Sequence, residues 1–349
     1  MSNKTAYLTG LQTIEIKEAP MPEVKAGEVL VKMEYCGVCG SDVEFFAHGC
    51  IGTNQVTYPF VLGHEVSGVV ESVGEGVKHL AKGQPVIIEP LFACGQCEFC
   101  RTGRYNICQN IKFTSSPPYD GLLSKYVAVD ANNVYPIPEG VTTKTAALVE
   151  PLSVGMHAAK LGDVKTPKTV VILGSGCIGL CTLLSCRHLG ATKIIVTDLF
   201  QKRLDMAKEL GADEIINVSE CDAIEKVKEL TNGEGADVVL ETAGSKITAS
   251  QTTKMLRCGG TIVIVGNVLG DVPFNFRDIA RIEGTVKVSR RYCNDFQTCL
   301  GAIQNGSIPA EKLERIVDAV YDFDETQQAF ETSLKDKQNI TKVVIKIAD

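Results

Sequence analysis

The uncharged run 169–186 constrains this chain more than any other segment. It opens with five β-type residues, Thr-Val-Val-Ile-Leu at 169–173, passes through Gly174-Ser175-Gly176-Cys177-Ile178-Gly179, and continues into an apolar helical stretch. A run of this length sits at the lower edge of a bilayer span, but its three glycines and interleaved Ser and Thr make a poor lipid-facing helix and a good strand, loop and helix. In that context the G-x-G-x-x-G spacing has a physical purpose. Gly174 permits a tight turn, Gly176 lets the backbone approach a pyrophosphate, and Gly179 lets helix and strand pack closely, while the helix N-terminus offers unpaired N–H groups to the phosphates. Ile178 belongs to the same cofactor-facing loop. The next β-run ends at Thr197-Asp198, nineteen residues beyond Gly179, where a carboxylate can accept hydrogen bonds from both ribose hydroxyls of an adenosine and repel a 2′-phosphate. The expected cofactor is therefore NAD rather than NADP, with Lys202 and Arg203 close enough to offset part of that repulsion.

From residue 169 onward, β-branched runs at 169–173, 193–197, 214–217, 237–241, 261–265 and 285–289 alternate with amphipathic stretches. Six strands alternating with helices imply an open, doubly wound parallel sheet of the α/β class. Residues 1 to about 150 have a different rhythm, with short β-type runs at 28–34, 66–73, 85–89 and 125–129 separated by Gly, Pro and polar turns. That half reads as mostly sheet without regular helices between the strands. After about residue 293 the alternation gives way to a helical stretch ending near Leu313 and a last strand at 342–347. Periodicity alone leaves open whether this tail extends the parallel sheet or returns to the first domain.

At about 150 residues per domain, 349 residues suggest roughly two domains, and 44% hydrophobic content supplies a core for each. With 35 Lys and Arg against 42 Asp and Glu, the net charge of -7 opposes any broad nucleic-acid or anionic-membrane surface. A small, specific ligand is the better expectation. Residues 1–20 show no apolar stretch behind a basic end, so the expected location is the cytoplasm. Fourteen cysteines fall well below the roughly 8–10% that marks a disulfide scaffold, which leaves thiols available to metal. Cys177, Cys181 and Cys186 lie at partly helical spacing in an apolar stretch and read as core packing.

Four other cysteines crowd one loop, as Cys94-x2-Cys97-x2-Cys100-x7-Cys108. Four thiolates at this spacing can enclose one tetrahedral zinc ion with every position filled, so a metal here would be structural. A second candidate is dispersed: Cys39 in Cys36-Gly37-Val38-Cys39-Gly40-Ser41-Asp42, His64-Glu65 after Gly63, and Glu150 in Val149-Glu150-Pro151. Each is weak alone. Together, one thiolate, one imidazole and one or two carboxylates make a mixed zinc site that can keep a position open for catalysis. Adjacent residues such as His64 and Glu65 diverge on a regular strand, so both reach one ion only if the backbone bends there.

These motifs, with Gly103-Arg104-Tyr105-Asn106, Pro117-Pro118-Tyr119-Asp120-Gly121, Glu150-Pro151-Leu152-Ser153-Val154-Gly155 and Arg291-Tyr292-Cys293-Asn294, run in order along nearly the whole chain. The chain resembles the zinc-dependent medium-chain alcohol dehydrogenases, most closely their polyol branch of sorbitol (L-iditol) dehydrogenases. The resemblance implies a GroES-like β-rich catalytic domain (1–155 and 293–349) interrupted by a Rossmann NAD-binding domain (156–292). It also implies two zinc ions per chain. Cys39, His64 and Glu65 would hold the catalytic one, with Glu150 either binding it directly or holding its water, and Cys94, Cys97, Cys100 and Cys108 would hold the structural one. Gly174, Gly176, Ile178, Gly179, Asp198 and Arg203 would contact NAD.

The implied reaction moves hydride from a secondary alcohol of a polyol of the sorbitol, xylitol or iditol type to NAD, giving a ketose, and runs in both directions. A Lewis-acid ion can bring the pKa of a bound water down to about 7, and the same charge favours loss of a substrate hydroxyl proton beside the nicotinamide. Ser41 resembles the hydroxyl that starts the family's proton path. Five residues after Cys39, where relatives commonly carry His, this chain has Glu44, so the imidazole relay is replaced by Glu44 or solvent. Phe45, Phe113, Ser116, Arg291 and Tyr292 match positions that line the substrate cleft, and Phe45 stands where polyol enzymes often carry Tyr. The same chemistry could serve threonine, a butanediol or a sugar-alcohol phosphate. A non-catalytic zinc and nucleotide binder is the reading from another class. The resemblance further implies a homo-oligomer, a tetramer or dimer, with no nucleic-acid or membrane partner.

Overall fold

The strand Glu28–Val38 organises the N-terminal half in a computed structural model that describes residues 3–348. Val29, Val31, Met33 and Cys36 are buried, so a sheet face is covered along its whole length. Strands lie beside it in the order Val134–Pro136, Pro85–Ile88, Glu65–Val73, Glu28–Val38, Val343–Lys346 and Ala319–Asp322. Its other edge is shared, because Tyr126–Asp130 pairs antiparallel with residues 28–32 while Val343–Lys346 pairs antiparallel with residues 35–38. A smaller three-stranded sheet joins Thr13–Ala19, Asn3–Gly10 and Phe60–Val61. Chain contacts divide the molecule into one unit up to Glu150 and from Phe296 onward, and another spanning Pro151–Asp295.

The second unit is built on six parallel strands in the order Glu214–Asn217, Lys193–Asp198, Thr169–Leu173, Ala236–Glu241, Leu256–Ile264 and Thr285–Val288. Thr169–Leu173 has Lys193–Asp198 on one side and Ala236–Glu241 on the other, so the strand order reverses beside it. In an open parallel sheet the ligand crevice lies outside the carboxyl ends of the strands at such a reversal. The strand expected at 261–265 begins earlier, at Leu256, and carries a register shift opposite Ala236/Val238. Gly259, at φ +71, lets the chain make that irregularity.

Several elements escaped the sequence reading. A helix, Gly40–His48, follows Cys39 directly and buries Val43, Phe46 and Ala47 at helical spacing. It is too short to reveal itself by periodicity amid β-type runs. Glu150 sits in the first turn of the helix Val149–Leu161, with Pro151 in the early helical position that proline tolerates. The C-terminal helical stretch is two helices, Phe296–Gln304 and Ala310–Glu314, followed by the strand Ala319–Asp322 and the helix Thr326–Lys335. Cys181 and Cys186 are buried in the glycine-loop helix Cys177–His188. Among the described residues no helix is long and apolar enough to cross a membrane.

The C-terminal segment contributes packing as well as a strand. Phe330 is 1% exposed, and its ring lies 5.4 Å from that of Phe46 on the helix Gly40–His48. Phe330→Ala should cost about 3–5 kcal/mol through lost burial and an unfilled cavity, read as a lowered denaturation midpoint. A change below about 1 kcal/mol would show that this contact does not support the fold.

Candidate active site

Cys39 follows the long strand in an extended conformation (φ -83, ψ 149) and stands at the N-terminus of the helix Gly40–His48. His64 precedes the strand Glu65–Val73 and follows Gly63, whose φ of +93 bends the chain where side chains on a regular strand would diverge. The ligand atoms of Cys39, His64 and Glu65 consequently lie within 4.8 Å of one another. This donor set of one sulfur, one nitrogen and one carboxylate oxygen could hold a zinc ion with a position to spare. Glu150, 6% exposed, lies outside the trio of mutually close ligand atoms.

The surroundings orient these donors. Asp42 is fully buried; its Oδ2 lies 3.3 Å from His64 Nδ1, and its Oδ1 accepts a hydrogen bond from Ser115 Oγ at 2.5 Å. Ser115 Oγ in turn accepts from the Gly63 N–H at 3.0 Å. A carboxylate behind Nδ1 fixes the ring and leaves Nε2 to face a metal. Phe113 presses on the same ring edge-on, with centroids 5.2 Å apart. Burial disfavours the charged form of His64, but Asp42 and Cys39 outweigh it and raise the pKa well above the ordinary value. Burial, with Glu65 and Asp42, also raises the Cys39 pKa, partly offset by His64.

Glu65, 1% exposed, pairs with Lys342 Nζ, just ahead of the last strand, and Lys342 also donates to Val38 O at 3.0 Å. Neither Lys342 nor Ser115 was singled out from sequence. Asp42 was visible in the Cys39 motif without an assigned role, since only the fold shows which imidazole it faces. Ser41 Oγ lies 3.3 Å from Cys39 Sγ. Glu44 and His48 face each other at 3.8 Å on the exposed side of their helix. Phe45 is buried with its ring 6.4 Å from that of Phe60. Ser116 is held in a turn, donating its N–H to Phe113 O and accepting from the Tyr119 N–H.

The four loop cysteines, Cys94, Cys97, Cys100 and Cys108, also bring their sulfurs within 4.8 Å of one another. Backbone N–H groups of Gln96 and Cys97 favour the Cys94 thiolate and lower its pKa to about 6, whereas desolvation and the neighbouring sulfurs push Cys100 up to about 12. Cys108 Sγ accepts N–H groups from Cys94 and Asn110, each at 3.4 Å. Backbone donors aimed at clustered sulfurs suit thiolates around a metal. Behind the loop, buried Glu89 accepts hydrogen bonds from Tyr105 at 2.7 Å and Tyr135 at 2.8 Å.

In the other unit, Gly174 makes its turn at φ +99, and a β-carbon at Gly179 would overlap Gly174 O. A β-carbon at Gly176 would meet only the Arg203 guanidinium, 3.8 Å away, so this backbone is open to an approaching phosphate. Ile178 lies half-buried in the first turn of the following helix. Asp198 accepts the Ser175 N–H at 2.7 Å and the Phe200 N–H at 3.0 Å, tying the glycine turn to the end of the second strand. Arg203 stacks over the Phe200 ring at 5.4 Å. Further along, Arg291 (φ +53) and Asn294 (φ +60) adopt left-handed backbone, while Tyr292 is fully buried. Asp295 anchors this segment, accepting from Cys293 N–H at 3.1 Å and Lys160 Nζ at 2.6 Å, with His157 Nδ1 at 3.4 Å.

Comparison with known proteins gives this geometry its family. The alcohol dehydrogenase GroES-like domain matches residues 25–139, and the zinc-binding dehydrogenase domain matches residues 177–305. An uncharacterized zinc-type alcohol dehydrogenase-like protein of Escherichia coli K12 is 43% identical over 100% of both chains. The chain belongs to the zinc-dependent medium-chain alcohol dehydrogenase family. Sorbitol dehydrogenase of Bacillus subtilis is 37% identical, covering 98% of this chain and 96% of its own. A crystal structure of an Escherichia coli oxidoreductase of unknown specificity superposes with a TM-score of 0.96 at 42% identity, covering 100% of each chain. This family member is thus a zinc- and nicotinamide-dependent oxidoreductase with the GroES-like and Rossmann-type architecture expected from its sequence.

Asp198 gives a direct test of cofactor choice. Asp198→Ala should raise the KM for NAD much more than that for NADP, because ribose recognition is lost together with a charge that repels a 2′-phosphate. Steady-state kinetics with both cofactors decides it; equal changes would reduce Asp198 to a tie for the glycine turn.

Proposed function

We propose that this enzyme oxidises a secondary alcohol of a polyol, of the sorbitol, xylitol or iditol type, to a ketose with NAD, reversibly. The observation that carries the reading is the convergence of Cys39, His64 and Glu65 on one point, with Asp42 behind the imidazole. The unit containing these residues takes the catalytic role, and Pro151–Asp295 the nucleotide role. Zinc supplies Lewis-acid polarisation of the hydroxyl, and the nicotinamide supplies the hydride acceptor. Asp42 keeps the His64 ring turned toward the ion, and the Ser41 hydroxyl, beside Cys39, starts the path for the departing proton. Glu150 lies outside the close trio, which favours a role through water. Cys94, Cys97, Cys100 and Cys108 hold the structural zinc.

Kinship with sorbitol dehydrogenase supports the substrate class. Phe45, Phe113, Ser116, Arg291 and Tyr292 remain the candidate substrate contacts. A cytoplasmic location fits a chain that gathers its thiols where they can bind metal.

Homo-oligomerisation, as a dimer or tetramer, is favoured by the outermost strand Thr285–Val288. Every residue of it is exposed, Val288 at 72%, and Phe276 nearby is 79% exposed. An edge strand with apolar side chains is a template for pairing with another copy. Light scattering should give a multiple of the 37.6 kDa chain, shifting to a smaller species in Val288→Lys. A wild-type monomer would reject oligomerisation.

NADH absorbance followed across sorbitol, xylitol, threonine, butanediol and phosphorylated polyols, with NAD and NADP in parallel, tests the activity. Turnover confined to non-polyols would refute the substrate class. Metal analysis should find two zinc ions per chain and one in Cys39→Ala; two in that variant would remove Cys39 from the ligand set.

A further inference from the structure

The carboxylate of Glu65 has a cationic neighbour within the protein. Lys342 arrives from 277 residues away in the chain, is 2% exposed, and puts its ammonium on Glu65 Oε2. It cannot easily swing aside. Its Nζ also donates to Val38 O at 3.0 Å, and Asp318 Oδ2 accepts its backbone N–H at 3.2 Å. The carboxylate is confined as well, since Gly37 is its cross-strand partner and a β-carbon there would overlap Glu65 Oε2.

A buried carboxylate without a counter-charge is strongly destabilising, so Glu65 needs a cation beside it. Lys342 meets that need in the protein itself. Were a divalent ion held by Cys39, His64 and Glu65, the ammonium would still be tethered to Val38 O, and the two cations would share one carboxylate. We propose that Lys342 is a resident counter-ion that competes with the metal for Glu65, making this carboxylate the weak, exchangeable ligand of the site and Cys39 and His64 the firm ones. The inference rests on the reading of Cys39, His64 and Glu65 as one metal site.

The sign of one effect separates this role from ordinary support. Removing a residue that merely orients a ligand weakens metal binding, typically 10–100-fold. Removing a competitor strengthens it. Purified holoenzyme is challenged with a chelating indicator that reports zinc release, and the zinc of the four-cysteine loop serves as a control within the same molecule. Lys342→Met should release the other zinc about tenfold more slowly than wild type, with the control unchanged. Lys342→Arg should behave like wild type. Lys342→Gln, which keeps a donor for Val38 O and Glu65 without the charge, should also slow release and stands in if the Met variant does not fold. In a Glu65→Gln background the Lys342 substitutions should change release less than twofold. Unchanged or faster release in both neutral variants would overturn the proposal, as would an undiminished effect in the Glu65→Gln background. Failure of the underlying site is recognised separately, because Cys39→Ala would then retain both zinc ions.

Discussion

The N-terminal sheet has to keep ionic groups out of water without leaving them unpaired. Asp42, His64, Glu65 and Lys342 are each at most 3% exposed, and His64 and Glu65 bring their ligand atoms close to the sulfur of Cys39. Breaking one partner from such a pair typically costs roughly 3–5 kcal/mol, comparable to much of a domain's net stability. The pairing therefore dictates what surrounds it. Gly37 is side-chain-free because the Glu65 carboxylate occupies the neighbouring space, and Val343–Lys346 lies beside Glu28–Val38 where Lys342 can reach Glu65. The C-terminal strand thus carries charge as well as hydrogen bonds into the sheet.

The two units solve their ligand problems with different materials. In the unit that gathers Cys39, His64 and Glu65, a bend at Gly63 turns sequence neighbours toward one point, and packed side chains such as Phe113 and Ser115 keep them there. In Pro151–Asp295 the glycine turn itself is the principal surface, and Asp198 steadies it through the Ser175 N–H. Metal sites need donors directed at a point, which calls for side chains locked from behind. Phosphates need many N–H groups over an area, which exposed backbone at a helix start provides.

The parts of this arrangement that were legible in the sequence share a local cause. Strand, glycine turn and helix at 169–186 follow from steric requirements of adjacent residues, and the four-cysteine loop places its sulfurs within 4.8 Å of one another across fifteen residues of chain. The parts that were not legible are short or long-range. The helix Gly40–His48 is only nine residues of pattern among β-type runs, too short to stand out by periodicity. Ser115 gives no sign of its bond to Asp42, 73 residues away.

The sequence by itself determined the chemistry on offer: a phosphate-binding turn with an acidic residue at the next strand end, a knot of thiolates, and a scattered set of Cys, His and carboxylates. Covalent spacing and backbone sterics act over a few residues, so those features exist wherever the chain goes. Only the tertiary structure decided which scattered donors meet, that Asp42 stands behind His64, and that Lys342 faces Glu65. Those choices depend on strand register and on the requirement that every buried charge find a partner across hundreds of residues, and neither is encoded in any one segment.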